Sequence, residues 1–474
     1  MSKGDQVERP WEFQWRGKEP GQPPMLGGET QLVVDDEMIE ATHLLSRRVN
    51  PPQKHPEPVL TPTLPYEGDG VVSYGSVVKL PGTDRYRLYY RFLNPRAPGD
   101  DGKLHSALCF AESTDLYHWD KPLLADFPYA GQPRSNALTA FGHDCASVLL
   151  DEADPDPRKL FKLAYSPWDW PEGLRTAASA DGLHWTQYEG RILKLGDRMS
   201  LYYNPVKKKY TAWSRCYAVK GLRAAFAAES DDFENWYPIP RSILEADALD
   251  APDTGIYGAT AFWYESQLLG FVEIYRAKIG KLHTQFMSSR DGHNWRREEH
   301  REAFVACGAH GSRDGYWVFP TDNAPVRIGD RLHLLLSERR VPHSPLKAAC
   351  DPPSATIGLA TLRVDGFASL DAGLGGWMVT KPFTFDRKGL LTVNACPLFP
   401  RAPDDPMKLT VTVRDEAGRA IPNYAEGDAV AVGGDSLRHE LRWKARADLS
   451  ELRGRPIRLA FHMTNTRLYS YTIR

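Results

Sequence analysis

The sequence predicts an all-β chain, a five-bladed β-propeller followed by a C-terminal β-sandwich. Three observations carry this. A seven-residue pattern, S-x-D-x-x-x-W, occurs four times along the 474 residues. Each copy is preceded by the same succession of short apolar strands and turns. Glycine and proline are abundant, at 38 and 37 residues, which favours many turns and short strands over helix.

In chain order, residues 1–60 form an N-terminal arm and strand. The first 25 residues are polar and Pro-rich, and Gln31–Asp35 reads as a strand for either the propeller rim or the sandwich. The opening MSKGDQVERPWEFQW lacks the apolar centre of a signal peptide, and no run of about 18 apolar residues occurs. A cytoplasmic location without a membrane span is therefore expected, or secretion if a leader was removed. The formal net charge of −2 argues against a nucleic-acid surface. Six cysteines stand singly, without zinc-ligand spacing, and are expected as buried free thiols.

Residues 61–365 hold the repeat. The corner boxes are Ser113–Trp119, Ser179–Trp185, Ser230–Trp236 and Ser289–Trp295, with a looser fifth, Thr361–Phe367, that has Thr for Ser and Phe for Trp. Upstream of each lies an aromatic or apolar run: 85–92, 160–165, 209–215, 268–275 and 331–336. Each unit reads as strand, turn, strand, turn, strand, box, short strand. Four-stranded antiparallel units of roughly 50 residues are propeller blades. Within a box, Ser and Asp are suited to bond the backbone of a tight turn, and Gly supplies a left-handed residue. The tryptophan is left to pack between blades, so the box is a structural element.

Residues 366–474 change period. Alternating segments at 390–394, 407–413, 437–443 and 456–461, separated by turns such as 415–418 and 433–435, read as a β-sandwich.

With its boxes, five units and following sandwich, the chain resembles the furanosidase-type glycoside hydrolases. Families 32 and 43 are the nearest, with family 68 and the mannoside phosphorylases of family 130. The resemblance spans residues 60 to 474 in architecture. The W-M-N-D-P-N-G and R-D-P motifs of family 32 are absent, which points to a separate family of propeller glycosidases. Sialidase boxes differ by one residue in spacing, and five units rather than six are visible.

The resemblance implies acidic groups at the channel mouth, each on a different blade. Glycoside cleavage generally uses two carboxylates, one protonating the leaving oxygen and one acting as nucleophile or base. The leading end of each blade supplies Glu67 and Asp69, then Asp144, Asp253 and Asp314, while Asp197 opens the third blade as a turn or channel residue. His143, Arg215, Arg276 and Arg313 are candidates for holding sugar hydroxyls or an acidic substituent. Tyr165, Tyr257 and Trp317 are candidates for stacking on a sugar face. The histidines are scattered, so no metal site and no cofactor is expected. The reading is a glycosidase acting on a small furanoside or short oligosaccharide. A non-catalytic glycan-binding propeller and a glycoside phosphorylase are the alternatives.

Overall fold

The computed structural model describes residues 23–93, 107–138, 143–167, 173–189, 196–217, 221–342, 352–400 and 406–474. The chain is all-β. Among the described residues the helical elements are two 3-10 turns, Pro157–Lys159 and Ser450–Leu452, and no helix is long and apolar enough to cross a membrane. The chain divides into two compact units, one formed chiefly by Pro51–Tyr264 and Leu268–Leu362, the other by the described residues up to Asn50 with Arg363–Arg474.

The first unit is a series of antiparallel meanders. The first begins with Gly70–Val72 and Val77–Lys79, continues through Tyr86–Leu93 and Leu108–Ser113, and ends at Ala137–Leu138. The second runs His143–Leu150, Phe161–Pro167, Arg175–Ser179 and Thr186–Gln187. The third is Ser200–Asn204, Lys209–Tyr217, Arg223–Ser230 and Tyr237–Pro238, and the fourth Thr254–Tyr264, Gln267–Arg276, Lys281–Ser289 and Arg296–Arg297. In the last, Trp317–Pro320, Arg331–Arg339 and Ala355–Arg363 are completed by Gln53–Lys54, which pairs antiparallel with Thr361 and Ala360. The outermost strand of the last meander thus comes from before the first one.

The boxes form the corners, and their polar residues face the backbone. In the first, Leu116 N–H donates to Ser113 Oγ at 2.9 Å, and Tyr117 and His118 N–H both donate to Asp115 Oδ1 at 2.8 Å. The boxes at Asp181, Asp232 and Asp291 repeat this set. Burial opposes ionisation of Asp232, but the N–H donors prevail and lower its carboxyl to about 2. Position four is left-handed in every box: Leu116 φ 69, Gly182 φ 72, Phe233 φ 68 and Gly292 φ 78. The degenerate fifth copy departs from the geometry. Asp365 is itself left-handed, at φ 62, and its carboxylate accepts from Ser470 Oγ at 2.7 Å inside the second unit, so Thr361–Phe367 is a strand end and the turn into Ala368–Ala372, of a different geometry from the boxes.

Each corner packs on the preceding meander. Tyr89 Oη donates to Gly182 C=O at 2.9 Å, and Trp185 stands edge-on to Tyr89. Phe233 meets Tyr188 and Lys162 of the second meander. Trp295 stands edge-on to Trp213, with ring centroids 5.1 Å apart, and Asn204 donates to Asp291 C=O at 3.1 Å. The first corner packs on the last meander, Tyr117 against His333 and Leu116 in one cluster with Leu335 and Leu359.

The leading strands are joined by buried hydroxyls. Ser76 Oγ accepts from Val148 N–H at 2.9 Å, and Ser147 Oγ accepts from Leu201 N–H at 3.0 Å. Ser200 Oγ donates to Ala259 C=O at 2.6 Å, and Thr260 Oγ1 donates to Asp322 Oδ1 at 3.2 Å. Asp322 N–H then donates to Gly75 C=O at 2.9 Å, returning to the first meander. Each such bond stabilises by about 1 kcal/mol net, but leaving one of these buried groups unpaired costs about 1–3 kcal/mol.

In the second unit, a six-stranded sheet contains Ser436–Glu440, Leu391–Pro397, Thr466–Ile473, Ala368–Ala372 and Ser46–Val49, with Gln31–Leu32 on Thr466–Ile473. A four-stranded sheet contains Ile39–His43, Gly376–Thr380, Ile457–Thr464 and Lys408–Asp415. Period-2 alternation directs Val411 and Val413 from one sheet, and Val393 and Leu468 from the other, into a single apolar cluster. The predicted N-terminal arm lies outside the described residues as far as residue 22. Cys109, Cys145, Cys216, Cys307 and Cys396 are free thiols.

Candidate active site

The leading strands bring one residue from each of several meanders to a common place. Tyr74 follows the first strand segment and stacks on Phe319, at 5.1 Å between ring centroids. Two guanidinium groups lie over its ring, Arg91 at 5.4 Å and Arg198 at 5.1 Å. Burial raises the Tyr74 phenol well above its usual range, so its hydroxyl stays protonated at neutral pH.

Beneath Tyr74, Arg198 is fully enclosed. Its Nε donates to Glu273 at 2.9 Å and its Nη1 to Asp322 at 3.0 Å, while Nη2 also pairs with Glu273. A left-handed backbone at φ 48 places this side chain. Glycine at 258 lets it pass, because a Cβ there would stand 2.6 Å from Arg198 Cγ. One cation thus serves two buried carboxylates. Burial, reinforced by Glu273 and only partly countered by Arg198, raises Asp322 to about 7.

Beside Tyr74 lies a chain of aromatic and guanidinium contacts. Arg339, at the end of the strand Arg331–Arg339, stands opposite Trp317 in register and lies over its ring at 4.6 Å. Trp317 meets Tyr257 at 5.1 Å. Arg215 lies over Tyr257 at 4.0 Å and is ion-paired with Asp197, while Arg223 lies over Tyr275 at 5.1 Å. Asp69 is buried and acts electrostatically on Arg339. Desolvation lowers the Arg339 guanidinium from its ordinary value, and the neighbouring Arg91 adds to this. Desolvation also works against the charge of Arg215, but Tyr257 and Asp197 outweigh it and raise the group.

Of the residues singled out from sequence, Asp69, Asp197, Arg215, Tyr257 and Trp317 stand in this cluster. The others are held elsewhere. Glu67 is buried, accepting from Thr63 and Leu64 N–H, Tyr90 Oη and Lys121 Nζ, the last at 2.7 Å. Asp253 accepts from Arg276 Nε at 2.8 Å and Lys278 N–H at 3.0 Å, which ties the turn after Gln267–Arg276. Burial opposes ionisation of Asp253, but these donors lower its carboxyl. Asp314 pairs with Lys54 and accepts from Ser312 Oγ at 2.7 Å. Arg313 pairs with Glu338 and donates to the carbonyls of His55 and Pro56. Tyr165 packs inside the second meander and donates to Gln187 at 2.9 Å. His143 and Asp144 open the strand His143–Leu150, and their side chains lie outside the described residues.

Sequence reasoning passed over Arg91, Arg223 and Arg339. A signal for two of them was present. Arginine stands near the end of the second strand in several meanders, at Arg91, Arg215, Arg276 and Arg339. Among the described residues no group of three or more His, Cys, Asp or Glu is placed to hold a metal ion.

No family model matches the sequence, and no curated protein matches it. Among solved structures, a glycoside hydrolase aligns at 15% identity and a TM-score of 0.49, over 66% of this chain and 92% of its own. An N-acetylgalactosamine deacetylase from F. plautii, solved with blood group B trisaccharide, gives 14% and 0.47, over 69% and 97%. A structure from work on the GH130 family of mannoside phosphorylases, described as containing glycoside hydrolases that target β-1,2 mannosidic linkages in Candida mannan, gives 14% and 0.43, over 72% and 96%.

Proposed function

We propose that the chain is a glycoside hydrolase whose meanders are the blades of a five-bladed β-propeller, with a β-sandwich after it. Circular order supports the propeller. The first corner packs on the last meander, the hydroxyl series returns from Asp322 to Gly75, and Gln53–Lys54 completes the final sheet. The site reading rests on one observation: Asp69 and Asp197, at the leading ends of different meanders, stand at the two ends of a contact chain through Arg339, Trp317, Tyr257 and Arg215.

In this reading Asp197, held by its ion pair with Arg215, serves as base or nucleophile at the anomeric carbon. Asp69 delivers its proton to the glycosidic oxygen as the C1–O bond breaks, and water supplies the hydroxyl that replaces it. Asp144 opens the adjacent second blade and is the third acid to test. Asp69→Asn and Asp197→Asn are each expected to lower turnover of aryl glycosides and short oligosaccharides by roughly 10²–10⁴-fold, with unchanged circular dichroism. Wild-type turnover in both variants would refute the assignment.

Phosphorolysis is the second reading, favoured by the density of guanidinium groups. Release of sugar phosphate only when inorganic phosphate is added would select it. Tight glycan binding without any turnover would select a glycan-binding propeller.

A further inference from the structure

Several enclosed arginines of the first unit have carboxylate partners. Arg198 has Glu273 and Asp322, Arg87 has Glu112, and Arg297 has Asp250. Arg339 differs. It is 6% exposed, and among the described residues it forms no ion pair and its Nε and Nη2 have no hydrogen-bond partner. Nearby, Arg215 Nη1 and Arg223 Nε are also without one. A buried guanidinium left with unused donors is costly, and a planar oxyanion is the group its fork geometry fits.

We propose that Arg339 and Arg215 form a receptor for a carboxylate carried by the sugar, so that the substrate is a glycan containing a uronic-acid-type residue. This rests on the glycosidase reading and narrows it to a substrate class. Each guanidinium has one face over an aromatic ring, Arg339 on Trp317 and Arg215 on Tyr257, which leaves in-plane donors for the ligand, Nε and Nη2 of Arg339 and Nη1 of Arg215, whose Nη2 is held by Asp197. The charge balance favours a monoanion over a phosphate dianion. Asp197 already offsets part of the positive charge of Arg215 and its neighbours Arg223 and Arg339, and a dianion would be repelled more strongly by this carboxylate.

The test is calorimetric titration of the full chain with D-glucuronate, D-galacturonate, the matching neutral sugars and inorganic phosphate, beside hydrolysis of aryl glucuronides and aryl glucosides. At least one uronate is expected to bind roughly 10–100-fold more tightly than its neutral counterpart, and Arg339→Gln to abolish that preference. Arg339→Gln removes an uncompensated buried charge, so its melting temperature is expected to match or exceed that of the wild type. Arg215→Lys, which keeps the charge and loses the fork, provides a second variant and is expected to weaken uronate binding. Equal binding of acids and neutral sugars, or binding of phosphate in preference to both uronates, would overturn the inference. The outcomes separate from those of the glycosidase reading. Turnover of neutral and acidic glycosides at the same rate leaves that reading standing and removes this one. Uronate binding with no hydrolysis of any glycoside does the reverse.

Discussion

The fourth residue of each corner is left-handed, yet glycine occupies it in only two of four copies. The neighbouring meander explains the difference. A Cβ at Gly182 would run into Tyr89 Oη, and one at Gly292 into Asn204 Nδ2. At Leu116 and Phe233 the side chain is itself buried, and its packing compensates a left-handed backbone that costs roughly 1–2 kcal/mol for a non-glycine residue. Gly182→Ala is therefore expected to lose about 3 kcal/mol, from strain and overpacking together, read as a lower urea midpoint. Phe233→Ala errs in the opposite direction of volume and is expected to lose about 3–5 kcal/mol. Neutral behaviour of Gly182→Ala would show that Tyr89 moves aside freely. At this scale the corner itself was fully legible, because the side chains of its Ser and Asp bond within the box itself. The partner of its fourth residue was not, because Tyr89 lies about 90 residues away in sequence and no local pattern reports it.

The leading strands carry a second repeat of hydroxyl residues, Ser76, Ser147, Ser200, Thr260 and Thr321, all buried. It was available in the sequence but hidden by its ordinariness, since lone serines in strands carry no turn signal. The cluster on these strands predicts a pH dependence. With Asp322 raised to about 7, the native state holds a proton between about pH 4 and 7 that the unfolded chain has released. The contribution of this group to stability is fully present below about pH 4 and is lost as pH rises towards 7. Asp322→Asn keeps an acceptor for Thr260 and removes the titration, so the loss of urea midpoint between pH 5 and pH 7.5 is expected to be smaller than in the wild type. An unchanged slope would place the proton elsewhere. The candidate acids were legible only in part. Asp69, selected for its place before a leading strand, stands in the cluster of arginines and aromatics, whereas Asp253 and Asp314, selected by the same rule, are paired with Arg276 and Lys54, partners fixed by tertiary structure.

For the molecule as a whole, the all-β class and the order of the meanders followed from the four boxes and the strand runs before them. Two features did not. Gln53–Lys54 is too short to show a period, so its pairing with Ala355–Arg363 had no signal. Thr361–Phe367 matched the box only at its two ends, since its Asp stands fifth instead of third, and this Asp365 turns to Ser470 and Asn394. The pair Lys54–Asp314 fastens the last meander to a segment that precedes the first. Lys54→Met would leave Asp314 without its cation, and a loss of about 2 kcal/mol is expected. If the meanders unfold as one cooperative body, fluorescence from the box tryptophans and backbone dichroism will shift to lower urea together. A shift confined to one probe would show that the last meander opens alone. The corner residues have one further consequence, for how the chain could be rearranged. The four boxes look interchangeable, but a glycine corner fits only a neighbour that fills the space, and a Leu or Phe corner only one that leaves it. The repeats therefore carry an address. New termini opened between meanders preserve every neighbour and should be tolerated, whereas exchanging the second and third corners would place a phenyl ring where Tyr89 already stands.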